Sequence, residues 1–319
     1  MLMRPALREY RTWAIDSRRW KAYRPRAGDV VIATAAKCGT TWMQQIVSSL
    51  VFQDAKPRSL YDVSTWIDAR FLLPEADTYR AFEAQTHRRF PKTHLPVDGL
   101  PIYDEVRYIH VARDGRDAAL SMHNHFTGFS EERMRGFDAI GLEDETIRRP
   151  YPRFPSDPGA YFRLWLTTPA IEGQSDGTPY PSWFEMEAGY WAERARGNFL
   201  FVHYSDLLKD LDAEMRRVAA FLGVEVDEES WPSLVDAADF NSMQRAGDSL
   251  MPHLARTFAE GSRRFFNKGR NGRWEGVFAD EDLALYDAKM REKFTPGLAA
   301  WIGGGGRLGA AGEPRDSGD

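Results

Sequence analysis

The heptapeptide AKCGTTW, residues 36–42, combines a full positive charge at Lys37, a conformationally free residue at Gly39 and hydroxyl donors at Thr40 and Thr41. The apolar run VVIATA leads into it, and apolar residues at Trp42, Met43, Ile46, Val47, Leu50 and Val51 follow with the i, i+4 rhythm of a helix. The pattern predicts strand, tight turn, helix. Such a turn presents unpaired backbone N–H groups at a helix N-terminus, where the macrodipole also favours an anion. The lysine precedes the glycine, unlike the GxxxxGK[ST] spacing of the common nucleoside-triphosphate loop. Alone, the stretch supports either an anion site or an ordinary turn with a solvated lysine.

Two more segments repeat the arrangement. RYIHVA (107–112) precedes Arg113-Asp114-Gly115 and a helical RDAALSMHNHF. NFLFVHY (198–204) precedes Ser205-Asp206, which can cap one helix with a buried stripe of Leu207, Leu208, Leu211, Met215, Val218, Phe221 and Leu222. Strands alternating with helices predict an α/β fold: a central parallel sheet flanked by helices, with ligands beyond the carboxyl ends of the strands. Residues 127–197 are less regular and rich in Pro and aromatics, among them Phe129, Phe137, Phe154, Tyr161, Trp165 and Trp183. They read either as helices packing into the core or as an insertion that builds an acceptor pocket or lid. Residues 303–319 are Gly-rich with little to bury, which predicts a disordered tail after a single domain over 1–302.

Composition narrows the classes. The 319-residue chain is 43% hydrophobic and 28% charged, as expected of a soluble globular protein. One cysteine, Cys38, excludes an internal disulfide framework and a cysteine-cluster metal site, so a cytoplasmic location is expected. No window is long and apolar enough to span a bilayer, and the N-terminus lacks a signal-like apolar core. A net charge of −5 argues against broad nucleic-acid binding, which needs a basic surface.

Taken together with three other motifs, the loop resembles that of the cytosolic-type sulfotransferases, which use 3′-phosphoadenosine 5′-phosphosulfate (PAPS) as donor. AKCGTTW is similar to the family's PKSGTTW loop. VARDGRDAALS (111–121) supplies the Arg and the Ser eight residues later of the 3′-phosphate segment. KTHLP (92–96) is present unaltered, and NKGRNGRW (267–274) is similar to RKGxxGxW. The segments STWIDARF (64–71) and HRRFPKTHLPVDGL (87–100) look closest to mycobacterial glycolipid sulfotransferases.

The resemblance implies a P-loop-NTPase-like sulfotransferase fold, PAPS as co-substrate with 3′,5′-ADP (PAP) as product, no metal, and a small-molecule or glycolipid acceptor. His94 would be the general base, since imidazole titrates near neutral pH, whereas His110, His123, His125, His203 and His253 are expected to be structural. Lys37 would stabilise the leaving phosphate, and Lys92, two positions from His94 on an extended segment, shares its side. Arg113 and Ser121 would hold the 3′-phosphate, Trp42 and Phe240 the adenine, and Tyr204 would hydrogen-bond to it. Asn267, Lys268 and Gly269 would complete the nucleotide site. Cys38 reads as a small substitute for serine. Two departures stand out: Asn267 replaces an arginine, for which Arg270 or Arg273 could substitute, and GRWEGVFADEDL (272–283) lacks the dimer-forming KxxxTVxxxE of animal members. The rival readings are a nucleoside-phosphate kinase and a homologue that binds PAPS or PAP without turnover.

Overall fold

The computed structural model describes residues 1–309. Among these residues six strands form in chain order: β1 (Leu2–Arg4), β2 (Val30–Thr34), β3 (Lys92–Thr93), β4 (Ile102–Tyr103), β5 (Arg107–Ala112) and β6 (Phe199–His203). β1 and β4 pair as a small antiparallel ribbon, while the other four make one parallel sheet in the order β3-β2-β5-β6.

The apolar run VVIATA becomes the central strand β2 because both of its faces are covered. Val31 and Ala33 join one hydrophobic cluster, and Val30 and Ile32 join another on the opposite face. This follows the period-2 alternation of strand side chains. Full burial of each Val or Ile is worth about 1.5–3 kcal/mol. On one face lie the helices Thr40–Phe52, Leu211–Leu222 and Trp231–Ala238; on the other lie Gly115–Phe126, Pro158–Thr167 and Trp183–Ala192.

The chain departs from the sequence expectations at several points. β6 stops at His203, and the single helix expected after it is two, Tyr204–Lys209 and Leu211–Leu222. Asp210 breaks it: its backbone is extended at φ −155°, and its carboxylate accepts the Ala213 N–H. The first piece is capped by His203 Nδ1, which accepts the Ser205 N–H at 3.2 Å, and not by Ser205 or Asp206. Leu208, expected in the buried stripe, is exposed.

The expected boundary of the Gly-rich tail also moves. Gly303 and Gly304 close the helix Pro296–Gly304, the Gly306 N–H donates to Asp206, and Arg307 Nε donates to Glu214 at 2.8 Å. Two buried or half-buried carboxylates thus anchor the start of the tail; its remainder, 310–319, lies outside the described residues.

Within 127–197 the aromatic side chains have two kinds of surroundings. Tyr161, Trp165 and Trp183 are buried in the core, whereas Phe129, Phe137, Tyr151 and Tyr180 wall a cleft.

Candidate active site

Four strand ends lie in a row at the carboxyl edge of the sheet. β3 runs into His94, β2 into the loop 35–39, β5 into Arg113 and β6 into Tyr204. At about 4.8 Å per strand, the row spans roughly 14 Å. All four open into a cleft of about 1550 Å³, mouth included.

The loop after β2 is shaped for an anion. Lys37 sits at φ +68° and Gly39 at φ +107°. A left-handed lysine costs on the order of 1 kcal/mol or more, and such strain persists where the surroundings enforce it. A Cβ at Gly39 would meet the Tyr204 ring at 3.0 Å, so glycine is also needed for close packing. The helix Thr40–Phe52 starts here without a side-chain cap, which leaves first-turn N–H groups free for a ligand. The Thr40 hydroxyl bonds to that of Thr34, while Lys37, Gly39, Thr41 and Trp42 all line the cleft.

Cys38 is a correction to the expected donor contacts. Its side chain is fully buried in the core cluster, with Sγ 3.9 Å from the Ala36 carbonyl, and it does not line the cleft. Burial pushes its thiol well above the ordinary range. Residue 38 is a core-packing position that suits a small side chain.

His94 is held by its backbone partner. Nδ1 lies 2.8 Å from the Thr34 carbonyl, which can only accept, so Nδ1 carries the proton and Nε2 keeps its lone pair. Trp66 and Tyr180 pack edge-on against the ring, at 4.9 and 5.8 Å. Burial, with the Lys92 and Lys37 charges, lowers its pKa to about 3, so the ring is neutral in the free protein.

Lys92 lines the same cleft, with Nζ 4.2 Å above the Trp66 ring, and Lys37 Nζ lies 4.2 Å above Phe265. Burial lowers the pKa of Lys37 to about 7, aided by the Arg113 and Lys92 charges. Burial lowers that of Lys92 to about 8. Neither forms an ion pair with a carboxylate among the described residues. The two lysines are charges waiting for a counterion.

Beyond Arg113 the segment 267–273 closes over the row. Arg113 Nε donates to Asn271 Oδ1 at 3.0 Å, Nη2 to the Arg270 carbonyl at 3.0 Å and Nη1 to the Lys37 carbonyl at 3.4 Å. Its guanidinium also stacks 4.1 Å over Tyr204. Asp117 accepts the Gly272 and Arg273 N–H groups at 2.9 and 3.1 Å. Trp42 donates from its indole to the Ala238 carbonyl and packs edge-on against Tyr204. Gly269 is left-handed at φ +55°, and a Cβ there would lie 2.5 Å from the Phe240 ring. Ser121, Phe240, Asn267, Lys268 and Gly269 all line the cleft, as do Arg270 and Arg273.

Thus all the residues expected at the site converge on one cleft except the Cys38 side chain. Two histidines expected to be structural also converge there. His125 and His253 line the cleft, each with a buried Nδ1 that has no partner. His110, His123 and His203 are structural, bonded to Glu187, the Pro155 carbonyl and the Ile302 carbonyl. The Thr34 carbonyl orients His94, Asn271 orients Arg113 and Asp117 fixes the backbone at 272–273; none of the three is singled out by the sequence. The one signal for Asp117 is a carboxylate in the first turn of the helix that follows Arg113.

The geometry has counterparts among known proteins. A family model described as "Sulfotransferase domain" matches residues 27–296. A glycolipid sulfotransferase of Mycobacterium tuberculosis is 32% identical over 309 residues, covering 93% of this chain and 94% of that protein. Sulfotransferase 1B1 of Mus musculus is 25% identical, covering 89% of this chain and 88% of its own. Among solved structures, a mouse sulfotransferase complexed with PAP superposes with a TM-score of 0.65 at 18% identity, covering 90% of this chain and 92% of that one. A retinol dehydratase in complex with androsterone and PAP also gives 0.65, at 22% identity and 88% and 87% coverage. The sheet order, the loop at the end of β2 and a family match over most of the chain agree: this protein belongs to the sulfotransferase family.

Proposed function

We propose that the cleft binds PAPS and that the protein transfers its sulfuryl group to a hydroxyl of a small or lipid-like acceptor. The observation that carries this is the adjacency of an anion loop and a tautomer-fixed imidazole on neighbouring strand ends, β2 and β3. The cleft fits such a donor. Lys37, Lys92, Arg113, Lys268, Arg270 and Arg273 line it, and among the described residues no Asp or Glu does. A kinase would need a carboxylate there to hold a divalent cation.

In this reading Lys37 and the first-turn N–H groups of the helix Thr40–Phe52 hold the 5′-phosphosulfate. Arg113 and Ser121, with Arg270 or Arg273, hold the 3′-phosphate, and Trp42, Phe240 and Tyr204 surround the adenine. Asn267, Lys268 and Gly269 complete the loop over it. Bound PAPS supplies an activated sulfuryl group. His94 Nε2 takes the acceptor's proton as the acceptor oxygen bonds to sulfur in line, and the bond from sulfur to the 5′-phosphate oxygen breaks. Lys37 balances the charge left on that phosphate. The donor's negative charge offsets the fields of Lys37 and Lys92 on His94, which raises the basicity of a ring held low in the free protein. Residues 127–197 supply much of the acceptor wall, within one catalytic domain over 1–302.

The mycobacterial relative's name supports a glycolipid acceptor, and the titles of the PAP-bound structures support the nucleotide. Titration with PAP and turnover of PAPS over an acceptor panel test the reading. His94→Ala should keep PAP affinity and lose about 10²–10⁴-fold in kcat. Full activity in that variant would remove the proposed base.

A further inference from the structure

The electrostatics of the same cleft say something about the acceptor, and the inference rests on the sulfotransferase reading above. Lys37, Lys92, Arg113 and the cations of segment 267–273 lie at the donor end, where the 3′-phosphate and 5′-phosphosulfate bring about four negative charges. A seventh cation, Arg133, has no place among them. It projects from the helix Glu131–Glu143 into the aromatic part of the cleft, its guanidinium 5.0 Å over Phe71 and 5.8 Å from Phe137.

Arg133 has unusually little for a half-buried guanidinium to bond to. Nη2 donates to Thr257 Oγ1 at 3.2 Å, and the buried Nε finds no acceptor. Among the described residues no carboxylate pairs with it; the nearest acid in its field, Glu132, is exposed. The two orphaned imidazoles lie beside it. His253 sits within the fields of Lys92, Arg133 and the exposed Asp62 carboxylate, 5.0 Å from the Tyr61 ring, and His125 within those of Lys37, Lys92, His94 and Arg133. Burial lowers the pKa of His253 to about 4 and that of His125 well below the ordinary value, so both rings offer hydrogen bonds without charge.

Buried polar atoms without partners are rare in folded proteins, and charged side chains are seldom buried without a partner. Here an unpaired guanidinium and two imidazole nitrogens stand in an apolar, aromatic-walled space next to the proposed base. We propose that the acceptor carries an oxyanion in addition to its reacting hydroxyl, and that Arg133, with His253 and His125, seats that anion while the hydroxyl reaches His94. A carboxylate and a phosphate share this chemistry. An apolar body between the two groups suits Phe71, Phe129, Phe137 and Tyr151, which line the space.

Calorimetry on the protein saturated with PAP tests this, using ω-hydroxylaurate, its methyl ester and the matching ω-hydroxyalkyl phosphate, with sulfation rates measured alongside. The acid or the phosphate should bind at least about tenfold more tightly than the ester, and whichever of the two binds better identifies the anion. Arg133→Gln should erase the preference with PAP affinity unchanged, appearing in turnover as a raised KM for the anionic acceptor and not for the ester. Arg133→Lys should restore part of it. Equal binding of all three compounds by the unmodified protein, or a preference that survives Arg133→Gln, would overturn the proposal while leaving the sulfotransferase reading intact. Failure to bind PAP at all would sink both.

Discussion

Binding of PAP at pH 8 should draw protons from solution onto the protein. Two lysines face the site without carboxylate partners, Lys37 with a pKa lowered to about 7 and Lys92 to about 8. At pH 8 the first holds a proton about a tenth of the time and the second about half. If the phosphates return both to the ordinary lysine range, the complex gains roughly 1.4 protons, and affinity falls at that slope as pH rises through 8. The sign follows from the direction of the shifts. Burial depresses the free-state values and the anion raises them, so binding is favoured at the lower pH. The phosphates do not confuse the count, since their second ionisation, near pH 6, is complete. Calorimetric titrations in two buffers of different ionisation enthalpy give the uptake directly. Lys37→Met should leave about 0.5 proton, contributed by Lys92. An uptake near zero in the unmodified protein, or one that Lys37→Met does not change, would show that these lysines do not receive the phosphates.

Two further substitutions separate binding from packing. Gly269→Ala places a methyl 2.5 Å from Phe240 at a left-handed backbone position, so the segment carrying Lys268 and Arg270 must move; PAP affinity should drop at least about tenfold with a change in Tm of only a few degrees. Unchanged affinity would detach that loop from the nucleotide. Cys38→Ser puts a hydroxyl where the thiol is buried among apolar side chains. It should cost about 1–2 kcal/mol of stability, read by urea unfolding, and leave kcat intact. A stable but inactive variant would contradict a purely packing role for this side chain.

Much of this architecture is legible in the sequence, for identifiable reasons. β2 and β5 are buried on both faces, so they appear as unbroken apolar runs, and RYIHVA matches β5 residue for residue. β3 is only two residues long, too short for any periodicity, although it carries the strand end from which His94 projects. The helix after β6 reads as continuous because its stripe keeps helical spacing across Asp210, where one side-chain cap outweighs the pattern. Site residues within motifs are legible because local backbone shape and chemistry coincide there. Arg133, His125 and His253 carry no such mark: they come from separate helices and turns, and only the closed fold brings them beside one another. Residue 38 misleads in the opposite way, since it lies within a motif whose chemistry its side chain does not share.

The cationic cleft sits in an acidic molecule. Seven of the 42 lysines and arginines line it, which leaves 35 elsewhere against 47 aspartates and glutamates. Averaged over the molecule, a phosphate-bearing solute is therefore repelled by the remainder and attracted by the cleft, each field fading over a Debye length of about 8 Å at physiological salt. The charges of a long polyanion cannot all enter a recess of this size, whereas those of a single nucleotide can. On the proposed reading, the charge layout thus favours a solute small enough to place all of its phosphates in the cleft, before any contact reads its identity.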